Sequence, residues 1–397
     1  RSTLFPYTTL FRSPYRVRET AIAALMARGI DVYNLGMVPT PVVFREARRY
    51  GAGLIITSSH NPIQWNGLKF IIDGRGPNER EFKEILKEKP QAKSKIGSEH
   101  IITSSYVSQA AKIIGKIKGR PKIVIDAGAG AAANVAPELL RKLGCQVQII
   151  NQNSSRRGPD PTSDELTQLA SLSKKADIGF AFDLDGDRLV VVKDGKKQSP
   201  DTTLALGIPK ALELGYKRFC LSIDTSIAVE KYITNHGGMV VRSKVGEANV
   251  IDTMLKKKCR AGGEGSSGGF ILPEFNMCRD GILTSGLIAA MTGKKIIDEI
   301  IEFVSRYHQL RTKVDIASKL HEKVLLKLQK KLKVRFGRII TIDGIKVTVD
   351  DDTWALVRKS NTEDIIRISV ESDDLARAKS IQREISGLVK ECYEQSR

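Results

Sequence analysis

Apolar positions recur along this chain in two rhythms, one helical and one extended, and the two alternate. RETAIAALMARGI (18–30) has helical spacing, DVYNLG (31–36) reads as a strand, and PTPVVFREARRYG (39–51) reads as a second helix. Gly53-Leu54-Ile55-Ile56 then reads as a short buried strand that empties into Thr57-Ser58-Ser59-His60-Asn61-Pro62. The proline ends it, having no amide to donate and restricting the residue before it. The serine loop therefore sits at a strand's C-terminal end, where open α/β sheets place their ligands. The cycle restarts at Lys122, with KIVIDAGAGAAANVAPELLRKLG as strand, glycine loop and helix, and CQVQII as the next strand. A third cycle begins near Asp201: helix TTLALGIPKALELG, strand RFCLSI, helix AVEKYITNHG and strand GMVVRS. Such alternation predicts mostly parallel sheets. From about residue 311 short strands (RIITIDG, IKVTVDD, TWALVRKS, DIIRISVES) precede one helix, ARAKSIQREISGLVKECY. The pattern predicts three similar α/β domains over 14–117, 118–201 and 202–309, and an α+β domain over 310–397.

Composition narrows the class. The formal charge of +19 in 397 residues invites a nucleic-acid reading. The excess is spread out, however, and densest over 301–338, where RYHQLRTK and LQKKLKVRFGR read as solvated helix faces. Aromatics are only 6% and no nucleic-acid motif is present, so the expected partner is an anionic small molecule, drawn in by the positive field, and not a nucleic acid. No apolar run approaches the roughly 20 residues of a membrane span, so no membrane is expected. The five cysteines are scattered, without metal spacing, which predicts reduced thiols and a cytoplasmic location. The first thirteen residues, RSTLFPYTTLFRS, show no periodicity and resemble a translated sequencing adapter. They are expected to contribute no element and to stand where an earlier strand is missing.

Four loops carry candidate chemistry. The first is the serine loop. In the second, IGFAFDLDGDRLVVV (178–192), Asp183, Asp185 and Asp187 follow an apolar strand and Gly186 lets the backbone curl, so that three hard oxygen ligands converge on a site suited to Mg²⁺. Arg188 is placed to meet a phosphate beside it. An EF-hand needs glycine where Arg188 stands and a helix where the strand stands. The third loop, GGEGSSGGF (262–270), offers Glu264 and Ser266 to sugar hydroxyls. It also fits GxSxG, but that elbow leads into a helix, and Phe270-Ile271-Leu272-Pro273 does not read as one. In the fourth, VRKSNTEDIIRISVES (357–372), Arg358, Ser360, Asn361, Thr362 and Arg367 are equipment for clasping a phosphate dianion. Plain solvated turns are the rival reading of each. Gly128-Ala129-Gly130-Ala131-Ala132-Ala133 matches a loose dinucleotide fingerprint but lacks the ribose-binding acid about 20 residues on, and reads as tight strand-to-helix packing.

Taken together and in this order, the four loops resemble those of the α-D-phosphohexomutase superfamily over residues 14–397. TSSHNP resembles the family's phosphoserine loop and DLDGDR its Mg²⁺ loop, and Asn66-Gly67-Leu68-Lys69 matches its NG-x-K segment. The resemblance implies three similar mixed-sheet α/β domains around a central cleft plus a C-terminal α+β domain. It implies a phosphorylated Ser59, with Lys69 as general acid/base, His60 assisting and Arg188 in the catalytic set. Asp183, Asp185, Asp187 and the phosphorylated Ser59 would hold one Mg²⁺ per chain. Lys244, Glu264 and Ser266 would take the sugar, while Arg358, Ser360, Asn361, Thr362 and Arg367 would take its standing phosphate. A hexose 1,6-bisphosphate would act as activator, and the protein would be a monomer or homodimer. Three departures stand out: one extra serine in the sugar loop, Asp364 where proline is common, and the absent first strand. A non-catalytic phosphosugar-binding protein and an inactive truncated fragment are the alternatives.

Overall fold

Only the nine residues 58–66 separate the strand Ala52–Thr57 from its successor, Gly67–Ile72. A parallel partner needs a crossover of about a dozen residues or more, so the two strands pair antiparallel, Ala52 opposite Ile72 and Thr57 opposite Gly67. In the computed structural model the described residues are 12–61, 65–87, 95–360 and 363–397. They fall into two compact units. One runs to Thr203 and takes in Ser267–Lys294, and the other comprises Leu204–Ser266 and Lys295–Arg397. The helix Arg12–Met26 opens the described chain, so Arg12 and Ser13 are helical, contrary to expectation. Residues 1–11 lie outside the described part. Among the described residues no helix is long and apolar enough to cross a membrane.

In the first unit the helix Thr40–Tyr50 lays Phe44 and Ala47 against Ile55 and Ile71 of the serine-loop hairpin. A second sheet has the order Gln146–Ile150, Lys122–Asp126, Ile178–Phe182, Leu189–Lys193, Lys196–Lys197. Its first three strands are parallel and its last two antiparallel, because the six residues 183–188 cannot cross over. Every residue of Ile178–Phe182 is buried. The acidic loop therefore leaves a rigid central strand and returns directly along its neighbour.

In the second unit the strand Arg218–Ser222 lies parallel between Met239–Ser243 and Ala261–Glu264, with the helices Ile227–Asn235 and Glu247–Lys257 making the crossovers. The C-terminal sheet is antiparallel, in the order His308–Asp315, Ile365–Ser372, Trp354–Lys359, Ile345–Thr348, Ile339–Ile340. Val324, Leu328 and Leu332 of one helix and Ala378, Ile385 and Val389 of another pack onto it. RYHQLRTK corrects the helical expectation. It lies mostly in the strand His308–Asp315, whose exposure alternates from Leu310 to Asp315 in period two. LQKKLKVRFGR does lie mostly on a helix, His321–Phe336.

One lysine in this unit is buried. Lys346 Nζ donates to Ile223 O at 2.8 Å and sits 4.0 Å from the centre of the Trp354 ring. Trp354 Nε1 in turn donates to Glu371 Oε2, which also accepts the Ile227 amide at 2.7 Å. Burial, and next the positive charge of Arg242, push the Lys346 pKa down to about 7 against the pull of Glu371. The unfolded chain keeps that proton up to the ordinary lysine value near 10.4, so between about pH 7 and 10 it binds more protons than the fold, and stability rises with pH. The rise is on the order of a few kcal/mol. Urea melts at pH 7 and pH 9.5 should show it in the native chain and lose it in Lys346→Met; parallel pH profiles would mean that the buried amine stays charged.

Candidate active site

The serine loop is held in a conformation that serine seldom adopts. Thr57 Oγ1 accepts the Ser59 amide at 2.8 Å, and Ser59 has φ +53, in the left-handed region. A non-glycine residue there costs on the order of 1 kcal/mol or more, and such residues persist where the surroundings over-determine them. Ser59 is 9% exposed. Its Oγ lies 3.2 Å from His60 Nδ1, and Arg188 Nη2 reaches the same ring nitrogen at 2.9 Å. Arg188 Nη1 donates to Asp160 Oδ2 at 2.7 Å. Burial first, and then the Arg188 guanidinium, hold the His60 pKa below its usual value although Asp160 opposes them. The imidazole is thus neutral near pH 7 and able to accept a proton.

Beside it the three carboxylates of the acidic loop converge, each offering an oxygen within 4.8 Å of the others. Each is anchored by one oxygen only. Asp183 Oδ1 accepts the Arg188 amide at 3.1 Å. Asp185 Oδ2 accepts from Thr40 Oγ1 at 2.9 Å and from Lys69 Nζ at 2.8 Å. Asp187 Oδ2 accepts from Arg279 Nη2 at 2.8 Å, with Lys69 Nζ 3.5 Å away. The remaining oxygens, Asp183 Oδ2, Asp185 Oδ1 and Asp187 Oδ1, are buried and have no hydrogen-bond partner. Three buried carboxylates that can offer converging hard oxygens, each with one oxygen left without a partner, suit a divalent cation. Burial, and then Asp187 and Asp185, push the Asp183 pKa up. Burial would also raise Asp187, but Arg279, Lys69 and Arg188 outweigh it and hold that carboxylate well below the usual range.

The glycine loop that mimics a dinucleotide fingerprint has a local duty. A Cβ on Gly130 would come within 2.5 Å of Leu184 O, and the Ala131 amide donates to that same carbonyl at 2.8 Å. The loop thereby buttresses the acidic loop's backbone. Arg157 adds to this by pairing with Asp126 at 3.0 Å and donating to the Phe182 carbonyl, the last of the strand before Asp183. Gly186 has φ +72 as the curl requires, and a Cβ there would press on Pro39 at 3.1 Å.

In the second unit Asp343 links Arg358 to the segment that follows Lys244. Asp343 Oδ2 takes Arg358 Nη2 at 2.8 Å and the Val245 amide at 3.0 Å, next to exposed Lys244. The Gly246 amide donates to buried Glu264 Oε1 at 2.5 Å, and the Gly265 amide donates to Thr225 Oγ1 at 2.9 Å. A path thus runs from Arg358 through Asp343 and the Val245-Gly246 backbone to Glu264, with Lys244 adjacent in the chain and half-buried Ser266 one residue beyond Gly265. Arg358 and Arg367 face each other across two strands, but Arg367 pairs with Glu363. Ser360 Oγ accepts the Glu363 amide at 3.2 Å. Asn361 and Thr362 lie outside the described residues. Asp364, at the position where proline is common, turns its carboxylate to Ser318 and accepts that amide at 2.9 Å.

Sequence reading missed Thr40, Asp160, Arg279, Asp343 and Thr225. One signal was legible: Asp280 caps the helix Gly281–Ala289 by accepting the Leu283 amide at 2.8 Å, which pins the preceding Arg279.

Known proteins resemble this chain in sequence and fold. Four family models described as phosphoglucomutase/phosphomannomutase match in chain order: alpha/beta/alpha domain I over residues 13–96, domain II over 104–196, domain III over 199–307 and the C-terminal domain over 312–388. The probable phosphoglucosamine mutase of Methanothermobacter thermautotrophicus is 35% identical, the match covering 95% of this chain and 87% of that one. Among solved structures, a phosphoglucomutase/phosphomannomutase family protein of Burkholderia thailandensis matches with TM-score 0.81 and 25% identity, over 96% of this chain and 88% of the other. The Aspergillus fumigatus N-acetylphosphoglucosamine mutase, solved with GlcNAc-6P and magnesium, shares the fold at TM-score 0.62 and 14% identity, over 95% and 99% of the two chains.

Proposed function

The chain belongs to the phosphoglucomutase/phosphomannomutase family and is a phosphohexose mutase, and from that premise we propose that it interconverts the 1- and 6-phosphates of a hexosamine through a phosphoryl group carried on Ser59. The observation that carries this reading is the position of Ser59, strained and buried against His60, which Arg188 also meets, in the same unit as three carboxylates with orphaned oxygens. The match to a probable phosphoglucosamine mutase favours glucosamine phosphate as the sugar.

In the forward half-reaction the sugar hydroxyl attacks phosphorus. A sugar O–P bond forms and the Ser59 Oγ–P bond breaks. Neutral His60 is suited to take the hydroxyl proton, and the Lys69 ammonium, lying between Asp185 and Asp187, to supply one to the leaving Ser59 oxygen. The resulting hexose 1,6-bisphosphate turns over and returns its other phosphoryl group to Ser59 by the reverse steps. Asp183, Asp185, Asp187 and the Ser59 phosphoryl group would hold Mg²⁺, which supplies neutralisation of charge on the transferred oxygens. Arg188, fixed by Asp160 and in contact with His60, would add positive charge beside that group.

Lys244, Glu264 and Ser266 would read the sugar, and Arg358, with Ser360, Asn361, Thr362 and Arg367, the standing phosphate. Arg358→Ala should raise KM for the monophosphate about 10- to 100-fold and leave kcat within a few-fold, since it removes binding common to ground and transition states. A matching fall in kcat would move Arg358 into the chemical step. Coupled assays of glucosamine, glucose and mannose 1-phosphates with Mg²⁺ and the matching bisphosphate test the whole reading. The highest kcat/KM should fall to glucosamine 1-phosphate, and no turnover of any of the three would overturn the mutase assignment.

A further inference from the structure

We infer that Arg279 and Thr40 are positioning residues that make Asp187 and Asp185 one-oxygen ligands and so select a small octahedral cation over a larger one. The inference rests on the reading of Asp183, Asp185 and Asp187 as a metal site. Asp187 has Oδ2 on Arg279 Nη2 at 2.8 Å and only Oδ1 left over. Asp185 has Oδ2 on Thr40 Oγ1 at 2.9 Å and on Lys69 Nζ at 2.8 Å, and only Oδ1 left over. Asp183 is restrained in the same sense by the Arg188 amide on Oδ1. Arg188 Nε is 3.9 Å from its Oδ2, beyond hydrogen-bonding reach.

All three carboxylates therefore have one oxygen engaged and one left over, which holds each back from rotating into a two-oxygen grip. The two outer anchors are themselves rigid. Thr40 opens a helix, and its own amide donates to Asp185 O at 2.8 Å. Arg279 precedes the buried helix cap Asp280, which is locked by Tyr106 Oη at 2.5 Å and Asn276 Nδ2 at 3.0 Å. Ca²⁺ takes about 6–8 oxygens and uses two-oxygen carboxylates freely, whereas Mg²⁺ takes six at shorter range. Three single oxygens leave a small ion room for water and phosphoryl oxygens but leave a large one short of ligands.

The test is calorimetric titration of the full chain with Mn²⁺, Mg²⁺ and Ca²⁺, alongside melting curves in EDTA to confirm the fold of each variant. The native chain should bind Mn²⁺ and Mg²⁺ well above Ca²⁺. Arg279→Met, which leaves Asp187 Oδ2 with only the 3.5 Å contact to Lys69, should narrow the Mn²⁺/Ca²⁺ ratio by about tenfold, the lower end of the scale on which such partners alter metal affinity. Arg279→Lys, which returns a cation to that oxygen, should restore it. Thr40→Val should narrow the ratio in the same direction and decides the matter if Arg279→Met does not fold. Equal changes for all three ions in the folded variants would overturn the inference while leaving the metal site intact. If the native chain bound none of the ions, the metal reading would fall, and the inference with it.

Discussion

Replacing Ser59 by alanine should cut mutase turnover by at least roughly four orders of magnitude, because it removes the hydroxyl proposed to carry the phosphoryl group. Ser58 is adjacent, but it is Ser59 Oγ that lies 3.2 Å from His60 Nδ1, the ring nitrogen that Arg188 Nη2 also reaches. The fold should survive, since Thr57 Oγ1 accepts a backbone amide that alanine keeps, and φ +53 suits alanine no worse than serine by more than a few tenths of a kcal/mol. Incubation with glucose 1,6-bisphosphate should leave one phosphate adduct on the native chain by intact-mass spectrometry. In that transfer Ser59 Oγ forms a bond to phosphorus, the sugar O–P bond breaks, and a hexose monophosphate leaves. The alanine variant should stay unmodified. An adduct mapped to Ser58 or Ser266 would sink the assignment.

What could be read in advance was local. DLDGDR announces its chemistry because all three ligands and the glycine that curves them lie within six residues, and the apolar strand before them sets their direction. TSSHNP is similar, since a strand, a loop and a stop are contiguous. The residues that finish the site come from far away. Thr40 reaches Asp185 across 145 positions and Arg279 reaches Asp187 across 92. Neither leaves a periodic trace, because a single long-range hydrogen bond imposes no repeat on the chain. Asp343 joins Arg358 to Val245 for the same unreadable reason.

Strand direction after the serine and acidic loops follows from connection length, and the mixed sheets expected of this chain contain both senses. The helical reading of RYHQLRTK rests on charge alone. The outward side of an edge strand can be as basic as a helix face, and only the alternation of Leu310, Thr312 and Val314 with Arg311, Lys313 and Asp315 separates them.

The second large effect is expected from Asp185→Asn, which should lower turnover at saturating Mg²⁺ by about a thousandfold and metal affinity by about 10- to 100-fold. The amide is nearly isosteric, so the loss is chemical. With its oxygen turned to Thr40 and Lys69, the Nδ2 hydrogens point at the cation from the place where Oδ1 should donate electrons. With the amide flipped, the oxygen serves the metal, but a donor faces the Thr40 hydroxyl and the Lys69 ammonium. Both orientations waste one of the two contacts. The cost to the fold should be smaller, because Asp187 remains 3.5 Å from the lysine and one of three mutually repelling carboxylates has gone. Melting in EDTA should therefore change little, while the stabilisation that Mg²⁺ adds to the native chain should largely vanish. Near-native kcat at saturating Mg²⁺ would show that two carboxylates suffice and that Asp185 serves only to place Lys69.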